Sequence, residues 1–597
     1  MKLRDAVRTL LSKKTVMSDQ QLYTIWGERF NSEHVLEEYP RPQLKRDNYT
    51  SLNGVWNYNI TKEAFKPPYY DGKIVVPFSP ESVLSGVNRQ LKPGEVLYYE
   101  RPLITMTKQK GKLCILHFGA VDQFCEVFIN ARKVVEHMGG YLPFSVDITE
   151  VLEEGGNLLS VRVTDSSETS YHSRGKQRLT RGGMFYTAQS GIWQPVWLEW
   201  VPELYITFLK ITPEYDDSRV KIEVQLNKTF NNSKGKELTY RFDIFENRRL
   251  VSSTSSRQSV NFIPIKNVIS WSPENPFLYN MVITVGEDRV ESYFAMRKFD
   301  VQLDTMKHPR LCLNNKPYYQ NGLLDQGYWP DGLYTAPSDE ALIFDIEQAK
   351  ALGFNMLRKH IKIEPLRWYY HCDRIGMIVW QDMVNGGEKY NQLLVGYLPT
   401  IFPGIASRIK DKHYRWFGRS EEAGRLEWTR ECMETVRHLY NQPCIGVWVP
   451  FNEGWGQFDA IKAVEQIREY DNTRLIDHAS GWYDQSGGDF ESKHNYFHPL
   501  RLDISERAAA LSEFGGYACY ISEHSYSLSV YGYRIYPNKE ELNKAYQKLY
   551  REDIEGLKEK GLSASVYTQL SDVEDEVNGL FTYDRRVCKV MKQETGD

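Results

Sequence analysis

The chain has 597 residues, more than one ordinary domain holds, so about three domains are expected at roughly 100 to 200 residues each. Its charged fraction of 25% and formal charge of −4 give no electrostatic basis for binding nucleic acid or a membrane surface. No apolar run is long enough to span a bilayer. The eight cysteines show neither a CxxC pair nor metal-ligand spacing, which predicts free thiols and no zinc site.

The N-terminus gives a weaker indication of cellular location, and the aromatic content gives a weaker indication of the substrate. Residues 1–19, an N-terminal extension, carry charges throughout and lack the continuous apolar core of a secretory signal, which predicts a cytoplasmic protein. Aromatic residues make up 13% of the chain. Tyr and Trp can stack on sugar rings, but they also fill β-rich cores.

Two all-β domains are predicted next, over residues 20–200 and 201–299. Both contain short runs in which apolar and polar residues alternate between turn residues, and a sandwich of two sheets buries such alternate residues. The second and smaller domain contains no candidate chemistry, so we assign it a structural role.

From residue 300 to 597 strands alternate with amphipathic helices, which is typical of a parallel α/β domain. Ser338 is expected to cap the helix through Ile346 and Leu352, and Gly353 fits the position after its end. Eight strands are predicted, the number found in a (β/α)8 TIM barrel. They cover residues 317–324, 355–360, 377–382, 444–452, 474–478, 493–496, 508–513 and 563–569.

The connection after the third of these strands is unusually long. Residues 384–420 far exceed a normal βα loop. Long loops on the catalytic face of a barrel commonly shape a pocket, whereas the alternatives are a decorative insertion or a contact between subunits. We favour the pocket.

Two glutamates follow buried strands in the barrel region. Glu453 comes after an apolar run and before glycines and a helix, and the carboxyl ends of barrel strands are where catalytic groups lie. Alone, it is equally well explained as an acid near a helix N-terminus. Glu513 repeats the arrangement at the end of strand seven. Cleavage of a glycosidic bond needs such a pair, one protonated acid and one ionised carboxylate.

Several motifs resemble glycoside hydrolase family 2, which includes relatives of β-galactosidase and β-glucuronidase. FNEGWG and SEFGG resemble its catalytic segments, and YPRPQL, SLNGVW, VPFSPES, FGAVDQFCEVFIN and SGIWQPVWLE resemble its N-terminal domain. The resemblance implies a jelly-roll sugar-binding domain, an immunoglobulin-like β-sandwich and a catalytic barrel. It also implies a retaining mechanism, with Glu453 as acid/base and Glu513 as nucleophile.

The resemblance and the strand ends supply further candidates for substrate binding. By resemblance, Asn452 would bond the sugar 2-hydroxyl, Tyr496 would hold the nucleophile, and His360 would contact substrate, although the usual spacing between Arg and His is one residue longer. Placed only by their positions near strand ends are Asp325, Trp380, Asp382 and His494.

The sugar is left open between a neutral β-galactoside and a β-hexuronide. β-Glucuronidases of the family carry an Asn-x-Lys pattern after strand eight, and Asn578 here is followed by Gly579 and Leu580. A β-galacturonide is therefore favoured over a β-glucuronide. Cations that could read a sugar carboxylate are Lys359, Lys493 and Arg501.

The predicted function is an exo-β-glycosidase that needs no cofactor and no metal. Its partner is a small carbohydrate or glycoconjugate, and a homo-oligomer is possible. Two other functions remain open: a carbohydrate-binding protein that has lost catalysis, since fold alone does not fix function, and a transglycosylase that uses the same residues.

Overall fold

The computed structural model describes residues 21–63, 65–103, 108–229, 237–391, 393–502 and 505–593. The predicted extension at residues 1–19 lies outside this part of the chain. Within these ranges every helix is too short or too polar to cross a lipid bilayer.

The first domain is a sandwich of two antiparallel sheets. In order across each sheet, one contains Tyr49–Ser51, Val196–Pro202, Lys112–Phe118 and Phe144–Asp147, and the other contains Gly72–Val76, Gly54–Thr61, Val96–Leu103, Asn157–Thr164, Phe124–Ile129 and Arg132–Met138. Alternate residues of Phe124–Ile129 are buried, as the sequence pattern predicts. The strand Val196–Pro202 belongs to the first domain, so this domain ends two residues after the expected boundary at residue 200.

The second domain is a smaller, immunoglobulin-like sandwich with its own core. One sheet contains Ile206–Glu214, Arg219–Leu226 and Val260–Pro264, and the other contains Arg249–Ser256, Tyr240–Glu246, Tyr279–Val285 and Asp288–Phe294. Tyr279–Val285 buries every second residue, among them Met281 and Ile283.

The third domain is a nearly closed barrel of eight parallel strands. These are β1 (Gln320–Asp325), β2 (Met356–Lys359), β3 (Ile378–Asp382), β4 (Ile445–Val449), β5 (Leu475–Ile476), β6 (Phe490–Asn495), β7 (Ala508–Gly515) and β8 (Leu562–Thr568). They pair in the order β5-β4-β3-β2-β1-β8-β7-β6. Between β5 and β6 the N–H of Asp489, just before β6, donates to the Ile476 carbonyl at 2.9 Å.

The main helices of the barrel are α1 (Asp339–Ala351), α2 (Leu366–Ile375), α3 (Glu422–Leu439), α4 (Ala460–Tyr470) and α5 (Lys539–Lys548). The predicted cap of α1 is confirmed: Ser338 Oγ accepts from the N–H of Ala341 at 3.2 Å, and Gly353 has a φ of 95°. A residue without Cβ adopts that conformation without strain.

The predicted start of β1 is wrong. Pro317 belongs to a two-residue strand, Lys316–Pro317, which pairs antiparallel with Pro309–Leu313 outside the barrel. Proline has no N–H to donate to a ladder, so it suits such an edge rather than the interior of a parallel sheet.

Candidate active site

Glu453 lies on the loop that follows β4. Its N–H donates to the Ser480 carbonyl oxygen at 2.9 Å. Glu453 has a φ of 54° and Gly454 a φ of 73°, and a Cβ at residue 454 would lie 2.5 Å from Tyr483 Cδ2. Only glycine fits at residue 454, where the left-handed backbone and the ring of Tyr483 both exclude a Cβ. The turn directs the Glu453 carboxylate toward His494.

Glu513 is buried within β7. The ladder between β6 and β7 is irregular here, because its register shifts between Lys493 and His494. One carboxylate oxygen of Glu513 accepts from Arg358 Nη1 at 3.2 Å, and the other accepts from the hydroxyl of Tyr496. These two donors fix the orientation of the carboxylate.

His494 links the two carboxylates. Its Nδ1 lies 2.9 Å from Glu453 Oε1, and its Nε2 lies 3.6 Å from Glu513 Oε1. One nitrogen of His494 and one oxygen of each glutamate all lie within 4.8 Å of one another. Three such atoms could ligate one metal ion, but the guanidinium of Arg358 beside Glu513 would repel a cation there. We therefore interpret the cluster as a carboxylate pair joined by a histidine.

Arg358 on β2 organises the site and is not among the residues predicted from the sequence. Its fully buried guanidinium donates twice to Asp382, at 2.9 and 3.0 Å, and once to Asn452 Oδ1 at 2.8 Å. Bidentate pairing of this kind fixes geometry as well as charge. Asp382 therefore acts on the site through Arg358.

The charges around Glu513 keep it ionised. Burial raises the pKa of this carboxyl, but its electrostatic interactions with the neighbouring His494, His360 and Arg358 outweigh burial, and the pKa ends below its ordinary value. Burial also lowers the pKa of His360 well below its ordinary value, so that imidazole is neutral at pH 7. Arg358 is charged at any working pH and supplies a permanent part of the field.

Two of the predicted residues present polar atoms that have no partner. Asn452 Nδ2 and His360 Nε2 are buried and form no hydrogen bond within the part of the chain that the structure describes. His360 Nδ1 lies 3.1 Å from Asp382 Oδ2, but the geometry is not that of a hydrogen bond. Buried donors of this kind are usually satisfied by a ligand or water.

Asp325 and Lys359 are not brought to the carboxylates. The ammonium of Lys359 donates to Asp325 at 2.6 Å and to Glu364 at 2.8 Å, and it lies 4.2 Å from the ring centroid of Trp368 on α2. Successive residues of a strand point to opposite faces, so Lys359 faces the helices while Arg358 faces the barrel interior. Its charge is balanced within the protein.

Trp380, Lys493 and Arg501 also lie away from the carboxylate pair. Trp380 is fully buried, and its Nε1 donates to Gln320 at the start of β1, which places it in the barrel core. Lys493 lies 3.8 Å from a carboxylate oxygen of Glu491. Arg501 is exposed. None of these positions supports a direct contact with a sugar between Glu453 and Glu513.

A segment of the first domain, residues 173–189, covers part of the barrel mouth. Ser173 forms an antiparallel bridge with Gly386 on the long loop after β3. Phe185 stacks on Trp455, two residues after Glu453, with ring centroids 5.4 Å apart. No local sequence pattern marks these contacts, because more than 200 residues separate the partners.

A cavity of about 520 Å³ lies where the three domains meet. His117, Trp197, Leu209 and Arg367 contribute to its lining, whereas Glu453 and Glu513 do not. This cavity therefore does not mark the position of the carboxylate pair. The paired carboxylates and their donors locate the candidate chemistry.

Comparison with known proteins assigns the two sandwich domains. Residues 58–202 match the sugar binding domain of glycosyl hydrolases family 2, and residues 204–297 match a second model of the same family.

Relatives include a putative β-glucuronidase of Formosa agariphila, 27% identical over 299 residues that cover 48% of this chain and 34% of that protein. A β-galactosidase of Thermoanaerobacter pseudethanolicus is 23% identical over 390 residues, 62% of this chain and 47% of that protein. This chain thus aligns with about a third to a half of the length of these curated relatives.

A solved β-galacturonidase from Eisenbergiella tayi has the same fold, with a TM-score of 0.66 at 16% identity over 92% of this chain and 96% of that chain. The matched domains, their order and the barrel that follows them agree with the motifs found in the sequence. The two matched sandwich domains, the relatives and the shared fold together support membership of glycosyl hydrolases family 2.

Proposed function

We propose that the protein is a retaining β-glycosidase that removes a terminal β-linked hexopyranoside. The observation that carries this proposal is the approach of the two carboxylates, since an oxygen of Glu453 and one of Glu513 lie within 4.8 Å of each other. Retaining enzymes place these groups roughly 5 to 5.5 Å apart, whereas inverting enzymes leave roughly 6.5 to 9.5 Å for a water molecule.

The two residues divide the chemistry of a double displacement. Glu513 attacks the anomeric carbon, and the bond to the leaving oxygen breaks as protonated Glu453 transfers its proton to that oxygen. A glycosyl ester on Glu513 results. Glu453, now ionised, takes a proton from water, whose oxygen attacks the anomeric carbon and releases Glu513 as a carboxylate.

The surrounding residues support these roles. Arg358 and Tyr496 donate to Glu513 and hold it ionised. Asn452 is oriented by Arg358 through its oxygen, which leaves its Nδ2 free for a sugar hydroxyl. His360 presents an unpaired Nε2 beside them. These donors fit a polyhydroxylated ring.

The sugar is a β-galactoside or a β-hexuronide. Relatives of both kinds are named above, and the Asn-x-Lys pattern of β-glucuronidases is absent here. Asn578 instead bonds Gln569 and Glu576 at 2.8 and 3.0 Å, and Leu580 is buried in place of the lysine. Among hexuronides this favours a galacturonide over a glucuronide.

Hydrolysis of a panel of nitrophenyl glycosides tests the proposal. Glu453→Gln and Glu513→Gln should each lower kcat/KM on the order of 10³-fold or more with unchanged circular dichroism. Glu465→Gln, an exposed acid on α4, is the matched control. Sugar binding without hydrolysis of any β-glycoside would instead indicate a carbohydrate-binding protein, and efficient transfer to sugar acceptors would indicate a transglycosylase.

A further inference from the structure

One cation at the barrel mouth differs from its neighbours because no carboxylate within the described residues pairs with it. Arg358 is bound by Asp382, and Lys359 is bound by Asp325, so both charges are balanced inside the protein. Lys176, on the 173–189 segment, is buried with 8% of its surface exposed. Among the described residues its ammonium has neither a hydrogen-bond acceptor nor a carboxylate within 4 Å. A cation on a largely buried side chain without a carboxylate partner is well placed to pair with an anionic ligand.

The backbone around Lys176 is held firmly against the barrel. The N–H of Gly175 donates to the Asn385 carbonyl at 2.9 Å, and a Cβ at residue 175 would lie 3.0 Å from the carbonyl oxygen of Ile361. The carbonyl of Lys176 accepts from the N–H of Tyr186 at 3.0 Å. These contacts fix Lys176 next to the loop that follows β2 and carries His360.

The side chain of Lys176 is directed toward the catalytic loop. Its Nζ lies 5.9 Å from the ring centroid of Trp455, which follows Glu453 by two residues, and 5.6 Å from that of Tyr186. Both rings lie close to the outer limit of about 6 Å for a cation–π contact, and their faces offer the ammonium no hydrogen-bonding oxygen. Burial lowers the pKa of His360, and the charge of Lys176 lowers it further, as expected for a cation close to the site.

We propose that Lys176 reads an anionic group on the sugar, a carboxylate at C5, so that the substrate is a β-hexuronide rather than a neutral β-galactoside. This inference rests on the proposed glycosidase function and adds a specificity-determining residue from the first domain to the barrel site. An ammonium on a largely buried side chain, with no carboxylate of the described residues paired to it, binds a carboxylate better than a neutral hydroxymethyl group. The segment that carries Lys176 thereby selects the substrate.

Matched nitrophenyl β-galacturonide, β-glucuronide and β-galactoside test the proposal on the full-length protein. We expect the wild type to prefer a hexuronide. Lys176→Met should lower kcat/KM for that hexuronide roughly 10- to 100-fold, because a hydrogen bond to a charged group is lost. It should change kcat/KM for the galactoside by less than about threefold. Lys176→Arg should retain most hexuronide activity because it keeps the charge. Lys389→Met, an exposed lysine on the loop after β3, is the matched control.

The outcomes separate the two proposals. A wild type that hydrolyses no β-glycoside overturns the proposed function itself. A wild type that prefers the galactoside, or a Lys176→Met variant that loses both activities equally, overturns the role of Lys176 and leaves the glycosidase intact. If Lys176→Met does not fold, competitive inhibition of the wild type and of Lys176→Arg by free galacturonate and galactose decides the same point. Galacturonate should bind both proteins more tightly than galactose, and equal inhibition overturns the proposal.

Discussion

Tyr496 and Glu513 form the closest contact of the candidate site. The Tyr496 hydroxyl donates to Glu513 and lies 3.0 Å from Thr568 Oγ1, while its ring stacks on Tyr533 with centroids 3.6 Å apart. The stack fixes the ring, so the hydroxyl is held where it stabilises the ionised form of Glu513. The proposed nucleophile is thereby oriented by its protein contacts alone.

Removal of that hydroxyl should change the pH dependence. In Tyr496→Phe the ionised carboxylate loses a donor, so the pKa of Glu513 rises and the acidic limb of kcat/KM moves to higher pH. We expect kcat/KM to fall on the order of 10- to 100-fold at neutral pH. The pH–rate profiles of wild type and variant measure both effects. The control Tyr533→Phe keeps the ring stack and should leave the acidic limb of the pH–rate profile in place. If the acidic limb does not move in Tyr496→Phe either, the proposed role of the Tyr496 hydroxyl is wrong.

A small anion should replace the Glu513 carboxylate. In Glu513→Gly the acid Glu453 remains, and azide can attack the anomeric carbon from the side that the carboxylate occupied. We expect azide to restore part of the turnover and to give a glycosyl azide of inverted, α configuration, identified by NMR. An α-azide from Glu453→Gly and a β-azide from Glu513→Gly would reverse the two assignments.

Residue-level prediction from the sequence succeeded where a motif marked the residue and failed where only a side-chain direction mattered. Glu453 and Glu513 are marked by strand ends followed by glycines, and the structure brings them together. Arg358 and Lys359 are adjacent cations, and only the pleat of β2 decides which one faces the barrel interior. Lys176 lies in a distant domain, which no local pattern connects to Glu453.

At the scale of elements, periodicity located all eight strands and missed their ends by a few residues. Every residue of β3, β4 and β8 is buried, as expected for parallel strands that are covered on both faces. The ends depend on partners: Pro317 pairs with an outer sheet, and Asn452 and Tyr496 fall on the loops after β4 and β6. Those loops are where the candidate chemistry lies.

The start of α1 supports a prediction about stability. Asp339 accepts from Arg367 through both oxygens at 2.6 Å and lies 2.9 Å from His371 Nε2. Burial raises the pKa of Asp339, but these partners outweigh it and hold the pKa well below its ordinary value. We expect Asp339→Asn to lower the free energy of unfolding by about 1 to 2 kcal/mol at pH 7, allowing for partial solvent screening.

The sign of the pH dependence follows from that lowered pKa. Stabilisation by a carboxylate with a depressed folded-state pKa is fully present above its unfolded value of about 3.9 and is lost as the pH falls further. Urea unfolding at pH 7 and at progressively lower pH should therefore show the difference between wild type and Asp339→Asn shrinking. Glu340→Gln, an exposed acid in the same helical turn, should change stability by less than about 0.5 kcal/mol. A difference independent of pH would contradict the ion-pair explanation.

At the scale of the whole molecule, a buried ion network joins the two sandwich domains. Arg46 donates to Asp288 at 2.7 and 3.0 Å and to Glu199 at 3.1 Å. Glu199 lies on the strand Val196–Pro202 of the first domain, and Asp288 begins the strand Asp288–Phe294 of the second. The first domain carries Lys176, so the position of that lysine depends in part on this junction.

Removal of Arg46 tests whether the junction holds the domains as one unit. Arg46→Met leaves two buried carboxylates without their shared cation, and a broken buried pair costs about 3 to 5 kcal/mol. Differential scanning calorimetry at pH 7 should show a lower transition temperature, with part of the unfolding heat separating into an earlier peak. Arg289→Met, next to Asp288, removes only an exposed pair with Glu291 and should shift the transition little. If Arg46→Met unfolds as the control does, the domains are held by apolar contacts rather than by this network.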